Sequence, residues 1–128
     1  MHTAIVCVAS NINSGNLKLD EFVVRLKAQI DSSAVCSGIY ATRSITDGVT
    51  PYYNLVASYR TPLSLPELTQ MMKQWEKDAG RIHGQKEVAL DIDVVVFDGI
   101  VVRPNDFDQS YFKTGYNALD QGLLCKEM

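Results

Sequence analysis

Apolar positions follow two different periods along the chain, and each period predicts a type of element. An unbroken apolar run from Ala4 to Ala9 predicts a strand that is buried on both faces. Between Leu17 and Ile30 apolar residues recur every three or four positions, which predicts a helix with one buried face. The residues of that face are Leu17, Leu19, Phe22, Val23, Leu26 and Ile30. The intervening segment, Ser10 to Gly15, is rich in turn-forming residues and predicts a loop.

The middle of the chain predicts a pair of strands joined by a polar loop. The second strand is predicted over Ala34 to Thr42 and the third over Tyr52 to Thr61, where β-branched and aromatic residues are frequent. Arg43 to Pro51 is polar and contains a glycine, which indicates a loop. Because the two strands are close in sequence, we expect them to form a hairpin.

A second helix is predicted after this hairpin. Ser64 and Glu67 have the S-x-x-E spacing of a capping box, in which the two side chains bind free N–H groups at the start of a helix. Gly80 is predicted to end the helix. Its buried stripe is predicted to contain Leu65, Leu68, Met71, Met72 and Trp75, with Trp75 in the core.

The remaining elements complete a recognisable order. Arg81 to Glu87 is a polar connection, Val88 to Phe97 is a fourth strand, and Asp98-Gly99 turns tightly into a return strand at Ile100 to Val102. The resulting β-α-β-β-α-β order predicts an α+β fold, a ferredoxin-like sandwich with an antiparallel sheet and two helices on one face. We expect residues 1–128 to form a single domain. Because such a fold supports many activities, function has to be argued from the site.

Composition narrows the class of protein. The chain is 46% hydrophobic and 21% charged, as in ordinary globular domains. A net charge of −3 argues against a general nucleic-acid-binding protein. Three widely spaced cysteines, Cys7, Cys36 and Cys125, predict reduced thiols, and no apolar stretch reaches membrane-spanning length. We therefore expect a cytoplasmic protein without membrane partners, as a monomer or a homodimer.

The fourth strand contains the most unusual polar residues. Side chains alternate between faces along a strand, so Asp91 and Asp93 share one face, roughly 7 Å apart. The opposite face, directed at the helices, is predicted to carry Val88, Leu90, Ile92, Val94 and Val96. A divalent cation such as Mg²⁺ would offset the repulsion between the two carboxylates. The alternative is a solvated sheet face, and the D-x-D pattern by itself favours that alternative.

Five segments occur in the order found in one enzyme family. They are Ala9-Ser10-Asn11-Ile12, Tyr40-Ala41-Thr42, Tyr52-Tyr53-Asn54, the helix end from Glu76 to Gly80-Arg81, and Leu90-Asp91-Ile92-Asp93. They resemble the G-S-N-L, Y-x-T, Y-x-N, E-x-x-x-G-R and L-D-L-D motifs of the 6-hydroxymethyl-7,8-dihydropterin pyrophosphokinase family. The resemblance extends over about residues 4 to 102.

The resemblance implies a reaction and a set of site residues. The reaction is the transfer of a diphosphate from ATP to the pterin hydroxymethyl group in folate biosynthesis. Asp91 and Asp93 would be the catalytic pair and would hold two Mg²⁺ ions. The residues expected beside the pterin are Thr42, Tyr52 and Asn54. Those expected beside the nucleotide are Glu76, Arg81 and His83.

Several of these positions also have simpler interpretations. His83 is equally well explained as an exposed loop residue, and Arg81 as a partner of the helix dipole. Ser10 and Asn11 are better explained as residues that bind the backbone of their own turn. Aromatic residues that could stack on a flat ring, at least half of which we expect in the core, are Tyr52, Tyr53, Phe107, Tyr111, Phe112 and Tyr116.

The chain also departs from the family pattern. The family has a longer loop before its aspartates, with several arginines and a Trp-Gly-Pro-Arg segment, whereas residues 82–89 are shorter and place Val88 where the last arginine stands. Its P-H-x-x-x-x-x-R pattern is also missing, and Lys113 is the nearest cation. Arginines that stabilise a transferred phosphoryl group contribute about 10³–10⁵ in rate. Two alternatives therefore stay open: a non-catalytic pterin- or nucleotide-binding descendant, and a subunit whose open sheet face binds a partner.

Overall fold

A computed structural model, which describes residues 1–82 and 84–120, contains one antiparallel sheet with helices on both faces. Its strands are β1 (His2–Ser10), β2 (Val35–Cys36), β3 (Tyr40–Arg43), β4 (Pro51–Thr61), β5 (Asp91–Phe97) and β6 (Ile100–Val101). Its helices are α1 (Gly15–Gln29), α2 (Leu65–Asp78), α3 (Pro104–Phe107) and α4 (Ser110–Asp120). The sheet order is β2-β4-β1-β5-β6, with β3 also paired to β4. This arrangement confirms the predicted ferredoxin-like α+β fold.

The main core lies between α1, α2 and one face of the sheet. Its helical residues are Leu19, Phe22 and Leu26 of α1 and Leu68, Met72 and Trp75 of α2. Trp75 is 4% exposed, as predicted. The prediction for Leu17 is wrong, because the buried positions of α1 are 15, 19, 22 and 26 and this spacing turns Leu17 towards solvent.

The other face of the sheet is partly covered by α4, which the sequence did not predict. Phe112 is fully buried there against Val56, Val95 and Val96. Phe107, Phe112 and Tyr116 have ring centroids 5.3–5.6 Å apart, so these three aromatic residues pack against one another. Lys113 lies over the Phe107 ring at 3.8 Å.

The helix and turn signals in the sequence are confirmed. Ser64 and Glu67 form the predicted capping box, with a Ser64 N–H to Glu67 Oε1 distance of 2.9 Å. Gly80 follows the end of α2 with φ +97°, a conformation that suits glycine. Asp98 and Gly99 have φ values of +51° and +79°, as a tight two-residue hairpin between β5 and β6 requires.

The predicted second strand is divided into β2 and β3. Cys36 pairs with Ala57 and Tyr40 pairs with Asn54, so the edge carries one more residue than β4 between these pairs. This β-bulge is stabilised by Ser37, whose Oγ accepts a hydrogen bond from the Val56 N–H at 2.9 Å. The predicted hairpin with the next strand is confirmed by the antiparallel pairing of β3 and β4.

The fourth predicted strand ends at Phe97 as β5 does, but it differs from β5 at its start and in the faces of its last residues. β5 begins at Asp91, because the backbone of Val88 is bound to Asn11 outside the ladder. A second bulge leaves Val95 without a partner on β1, since Val6 pairs with Val94 and Ile5 with Val96. The alternation is therefore reversed after Val94: Val96 packs in the second cluster and Phe97 in the main core. The predicted orientation of Val96 towards α1 and α2 is wrong.

Two expectations from the sequence concern the cysteines and membrane-spanning segments. Cys7 and Cys36 are buried, and Cys125 lies outside the described residues. None of the helices that the structure describes is both long and apolar enough to cross a membrane.

Candidate active site

A cleft of about 280 Å³ opens on the sheet face opposite α1 and α2, beside α4. Strands β1, β4 and β5 form its floor, and the β3–β4 loop and the α3–α4 segment form its walls. The floor and wall residues are Cys7, Ala9, Thr42, Tyr52, Asn54, Asp91, Asp93, Arg43 to Thr46, Arg103, Asp106 and Tyr111. This part of the sheet is thus a walled cleft and not a flat surface.

Asp91 and Asp93 both line the cleft, as the strand period predicted. In the sheet register Asp91 pairs with Ala9 and Asp93 pairs with Cys7 of β1. These β1 neighbours have small side chains, which leaves space next to both carboxylates. The two aspartates therefore stand side by side in an accessible part of the sheet.

The environment of Asp93 perturbs its carboxyl group. Burial raises its pKa to about 7, and the neighbouring negative charge of Asp91 raises the pKa in the same direction. Arg103 opposes this effect, with its Nη2 3.7 Å from Asp93 Oδ1. At neutral pH the Asp93 side chain is therefore close to its midpoint, and a cation would favour the ionised form.

Asp91 is held by an arginine from the end of α2. Arg81 Nη1 lies 2.9 Å from Asp91 Oδ1 and also donates to the Leu90 carbonyl at 3.3 Å. The Arg81 side chain is 19% exposed, whereas that of Asp91 is 37% exposed. Arg81 therefore fixes the start of β5 from the side, and it does not line the cleft.

The third carboxylate in the cleft, Asp106, was missed by sequence reasoning. It accepts hydrogen bonds from Arg103 Nε and from the hydroxyl of Tyr111. The signal available was the i, i+3 spacing of Arg103 and Asp106 around Pro104, a favourable first residue for a helix. These three residues, Arg103, Asp106 and Tyr111, form one hydrogen-bonded group on the cleft wall, which we call the wall triad.

The three residues predicted beside the pterin lie together on the cleft. Asn54 is 2% exposed, and its Nδ2 donates to Thr42 Oγ1 at 2.7 Å. Tyr52 accepts a 3.3 Å hydrogen bond from Asn11 Nδ2 through its hydroxyl. The β3–β4 pairing, in which Tyr52 is opposite Thr42, brings these side chains to one end of the cleft. Their role in binding a pterin stays a prediction.

The residues predicted on the nucleotide side are placed differently. Glu76 is 4% exposed, and its Oε2 accepts a 2.7 Å hydrogen bond from the Ile92 N–H, at the side of β5 not paired to β1. Burial raises the pKa of Glu76, against the lowering effect of the Ile92 hydrogen bond. Like Arg81, Glu76 does not line the cleft. His83 lies outside the described residues, and the nucleotide-binding roles of all three stay predictions.

Ser10 and Asn11 bind a distant segment more than their own turn. Asn11 Oδ1 accepts from the Val88 N–H at 2.6 Å, and its Nδ2 donates to the Lys86 carbonyl at 2.8 Å. Ser10 Oγ donates to the Val88 carbonyl at 3.1 Å. These hydrogen bonds attach the segment before β5 to the end of β1, beside the cleft.

Asp91 and Asp93, here called the acidic pair, have the donor chemistry that a magnesium site would need. Across residues 1–82 and 84–120 no cluster of three or more His, Cys, Asp or Glu side chains is arranged to hold a metal ion. Two hard carboxylate oxygens, Asp91 and Asp93, are what Mg²⁺ takes from proteins when phosphates and waters complete its coordination. Burial, and after it the charge of Asp91, raises the pKa of Asp93, and a bound cation would favour the ionised form of this carboxyl group.

Fold and cleft together define a ferredoxin-like α+β domain with a polar, acidic cleft of small-molecule size on its sheet. The chain belongs to the 7,8-dihydro-6-hydroxymethylpterin-pyrophosphokinase (HPPK) family, whose profile matches residues 5–117. A comparison with curated proteins gives no match. Family membership supports a pterin pyrophosphokinase function in folate biosynthesis.

Proposed function

We propose that this chain catalyses the Mg²⁺-dependent transfer of a diphosphate from ATP to 6-hydroxymethyl-7,8-dihydropterin. The proposal rests on one observation: two sets of residues line the same cleft. The acidic pair of β5 lies on the same cleft as Thr42, Tyr52 and Asn54, the residues expected beside the pterin. Membership of the HPPK family gives this arrangement its reaction class.

The proposed reaction is a displacement at phosphorus. The hydroxymethyl oxygen of the pterin forms a bond to the β-phosphorus of ATP, and the bond from that phosphorus to the oxygen bridging the α-phosphate breaks. AMP leaves with the bridging oxygen, and the hydroxyl proton is released. Because such a transition state needs alignment and charge neutralisation more than covalent help, a site of this type works mainly by positioning.

Different residues of the cleft would hold the metal ion and the pterin. Asp91 and Asp93 would hold Mg²⁺, which when bound neutralises phosphate charge. Asn54, fixed by Thr42, would present an amide to the polar edge of the pterin, and Tyr52 would border its ring. Arg81 would keep Asp91 in place through their 2.9 Å contact. Because Arg81 does not line the cleft, it leaves the cleft side of Asp91 unobstructed.

A second candidate is a binding protein without turnover. The segment between α2 and β5, residues 79–90, contains Arg81 as its one arginine, and that side chain is engaged with Asp91 and the Leu90 carbonyl. A chain that binds both ligands but lacks arginines free to neutralise the transferred phosphates would lose much or all of the rate. Binding and turnover therefore have to be measured separately.

The decisive experiment measures AMP formation from ATP, Mg²⁺ and the hydroxymethylpterin, together with equilibrium binding of each ligand. The enzyme proposal expects pterin-dependent AMP release that falls at least 10²-fold in Asp93→Asn. Arg60→Gln, an exposed change on β4 away from the cleft, serves as the matched control and should leave the rate unchanged. Binding of both ligands without AMP release would instead establish the binding protein, and no binding of either would refute both.

A further inference from the structure

Arg103, at the start of the α3–α4 segment, lines the cleft next to Asp93. We propose that Arg103 binds the phosphate chain of the nucleotide, and that Asp106 and Tyr111 orient its guanidinium for this contact. This inference rests on the proposed function and adds to it a residue that the resemblance does not assign. Residues 79–90 contain one arginine, Arg81, and its side chain is already bound to Asp91 and the Leu90 carbonyl. Arg103 on the cleft wall would make the phosphate contact in its place.

A residue that binds the phosphate chain must be accessible from the cleft and close to the acidic pair, and Arg103 is both. Its side chain is 50% exposed, lines the cleft, and reaches within 3.7 Å of Asp93. A phosphate bound through a cation on the acidic pair would therefore lie next to the guanidinium. Arg103 lies two residues after β6, and its backbone is anchored to the sheet: its N–H lies 3.4 Å from the Val95 carbonyl.

Such a residue must also keep N–H donors available for phosphate oxygens, and the Arg103 guanidinium does so. Arginine has five N–H donors, and here Nε is bound to Asp106. The 3.7 Å separation between Nη2 and Asp93 is an ionic contact, longer than a hydrogen bond. The terminal N–H groups are thus available to donate to phosphate oxygens, which arginine binds in a bidentate geometry.

The wall triad explains why the guanidinium is held in one orientation. Asp106 is fixed on its other side by the Tyr111 hydroxyl, and Tyr111 belongs to α4, which is packed on the sheet. A side chain that is already ordered loses less entropy when it binds a ligand. Asp106 and Tyr111 are therefore positioning residues that act through Arg103.

The other arginines near the cleft are less suited to this role. Arg81 is 19% exposed and engaged with Asp91 and the Leu90 carbonyl. Arg43 lines the cleft, but its Nη1 donates to the Val49 carbonyl within the β3–β4 hairpin at 3.2 Å. Arg103 alone among these three combines exposure to the cleft with a direct approach to the acidic pair.

The test is calorimetric titration of a non-hydrolysable ATP analogue with Mg²⁺ into wild type, Arg103→Gln, Arg103→Lys and Asp106→Asn. We expect Arg103→Gln to weaken binding about 10- to 100-fold, the effect of losing a charge-assisted contact to phosphate. Arg103→Lys should recover only part of that loss, because an ammonium lacks the planar fork. Affinity for the pterin should stay unchanged in all three variants.

The positioning role is tested by the double variant Arg103→Gln/Asp106→Asn. If Asp106 acts through Arg103, the double variant binds no more weakly than Arg103→Gln alone. Additive losses would overturn the positioning role. Arg60→Gln is the control for surface charge, and melting temperatures check that each variant is folded.

The outcomes separate this inference from the proposed function. Wild-type affinity retained in Arg103→Gln would overturn the role of Arg103 and leave the pyrophosphokinase proposal in place. A wild-type chain that binds no nucleotide would overturn both. Weakened nucleotide binding in Arg103→Gln with normal pterin binding would support the inference even if turnover is absent.

Discussion

At Asp93 a proton and the proposed Mg²⁺ ion would compete for the same carboxylate. Burial and the adjacent charge of Asp91 raise the pKa of Asp93 to about 7, so the side chain is largely protonated below that pH. A metal ion binds the ionised form, and its binding must therefore release a proton near neutrality. We predict that Mg²⁺-dependent nucleotide binding tightens as pH rises from about 6 to 8.

Titration calorimetry in two buffers with different ionisation enthalpies measures the number of protons released. Asp93→Asn should bind more weakly and should show no proton release near neutral pH. Proton release of the same size in this variant would mean that another group titrates. Asp78→Asn, a change at the last residue of α2 and outside the cleft, is the control for altered net charge.

A second residue-scale prediction concerns Asp31, which joins the end of α1 to β4. Its two carboxylate oxygens accept hydrogen bonds from the Arg60 N–H at 2.8 Å and the Ser33 N–H at 2.9 Å. The first of these is the main cause that lowers the pKa of Asp31. Asp31→Asn loses one acceptor, and we expect it to lower the free energy of unfolding by about 1 kcal/mol at neutral pH.

The sign of the pH dependence follows from the lowered pKa. A carboxyl group whose pKa is depressed by folding contributes stability above its ordinary value of 3.8, and that stability is lost as pH falls through the folded value. Urea unfolding at pH 6 and pH 3 should therefore show a difference between wild type and Asp31→Asn that shrinks in acid. Asp20→Asn, an exposed change on α1, should show no such difference.

Residue periodicity predicted only part of this site. Asp91 and Asp93 could be placed together because the alternation within one strand fixes their face. The wall triad could not, because its contacts join the end of the β5–β6 hairpin to helices that the sequence pattern did not reveal. The burial of Glu76 had a signal that was missed: it is four residues after Met72 and eight after Leu68, on the buried stripe of α2.

At the scale of elements, the sequence order predicted the sheet, and local irregularities escaped prediction. A bulge changes the face of every later residue in a strand, and the apolar residues Val95 and Val96 give no sign of which one is inserted. Ser37 interrupts the edge strand for a similar reason, since its hydroxyl replaces a ladder partner. Such features depend on the neighbouring strand and not on the segment itself.

The packing of α4 on the sheet gives an element-scale prediction. Gly115 approaches the sheet so closely that a Cβ there would lie 2.5 Å from Val56 Cγ2 and 2.7 Å from the Tyr40 hydroxyl. In an exposed helix Gly→Ala is stabilising by about 1 kcal/mol, but here the added methyl group must displace α4. We expect Gly115→Ala to lower the free energy of unfolding by about 1–3 kcal/mol, the usual effect of overpacking.

Urea unfolding of Gly115→Ala measures this effect, and Gly38→Ala is the matched control. A Cβ on Gly38 would meet nothing within 4 Å, so that change should be nearly neutral. Because α4 carries Tyr111, a shifted helix should also weaken nucleotide binding through the wall triad. A Gly115→Ala variant that is more stable than wild type would show that α4 does not pack as described.

For the whole molecule, the two faces of the sheet have different roles. One face is closed by α1 and α2 and contains the main core. The other is shared between α4 and the cleft, so the residues that line the cleft come from β1, β3, β4, β5 and the α3–α4 segment. A ligand in the cleft would therefore connect elements that are far apart in sequence. Binding should raise the stability of the domain as a unit.

This coupling predicts a cooperative thermal shift. A ligand at 100 times its Kd adds about 2.7 kcal/mol to the free energy of unfolding, which raises the Tm of a domain of this size by about 10 °C. Because phosphates complete the coordination of an ion held by two carboxylates, Mg²⁺ and a non-hydrolysable ATP analogue together should raise Tm by more than the sum of their separate effects. Scanning calorimetry of wild type and Asp91→Asn measures this, and an equal joint shift in both chains would place the metal and nucleotide away from the acidic pair.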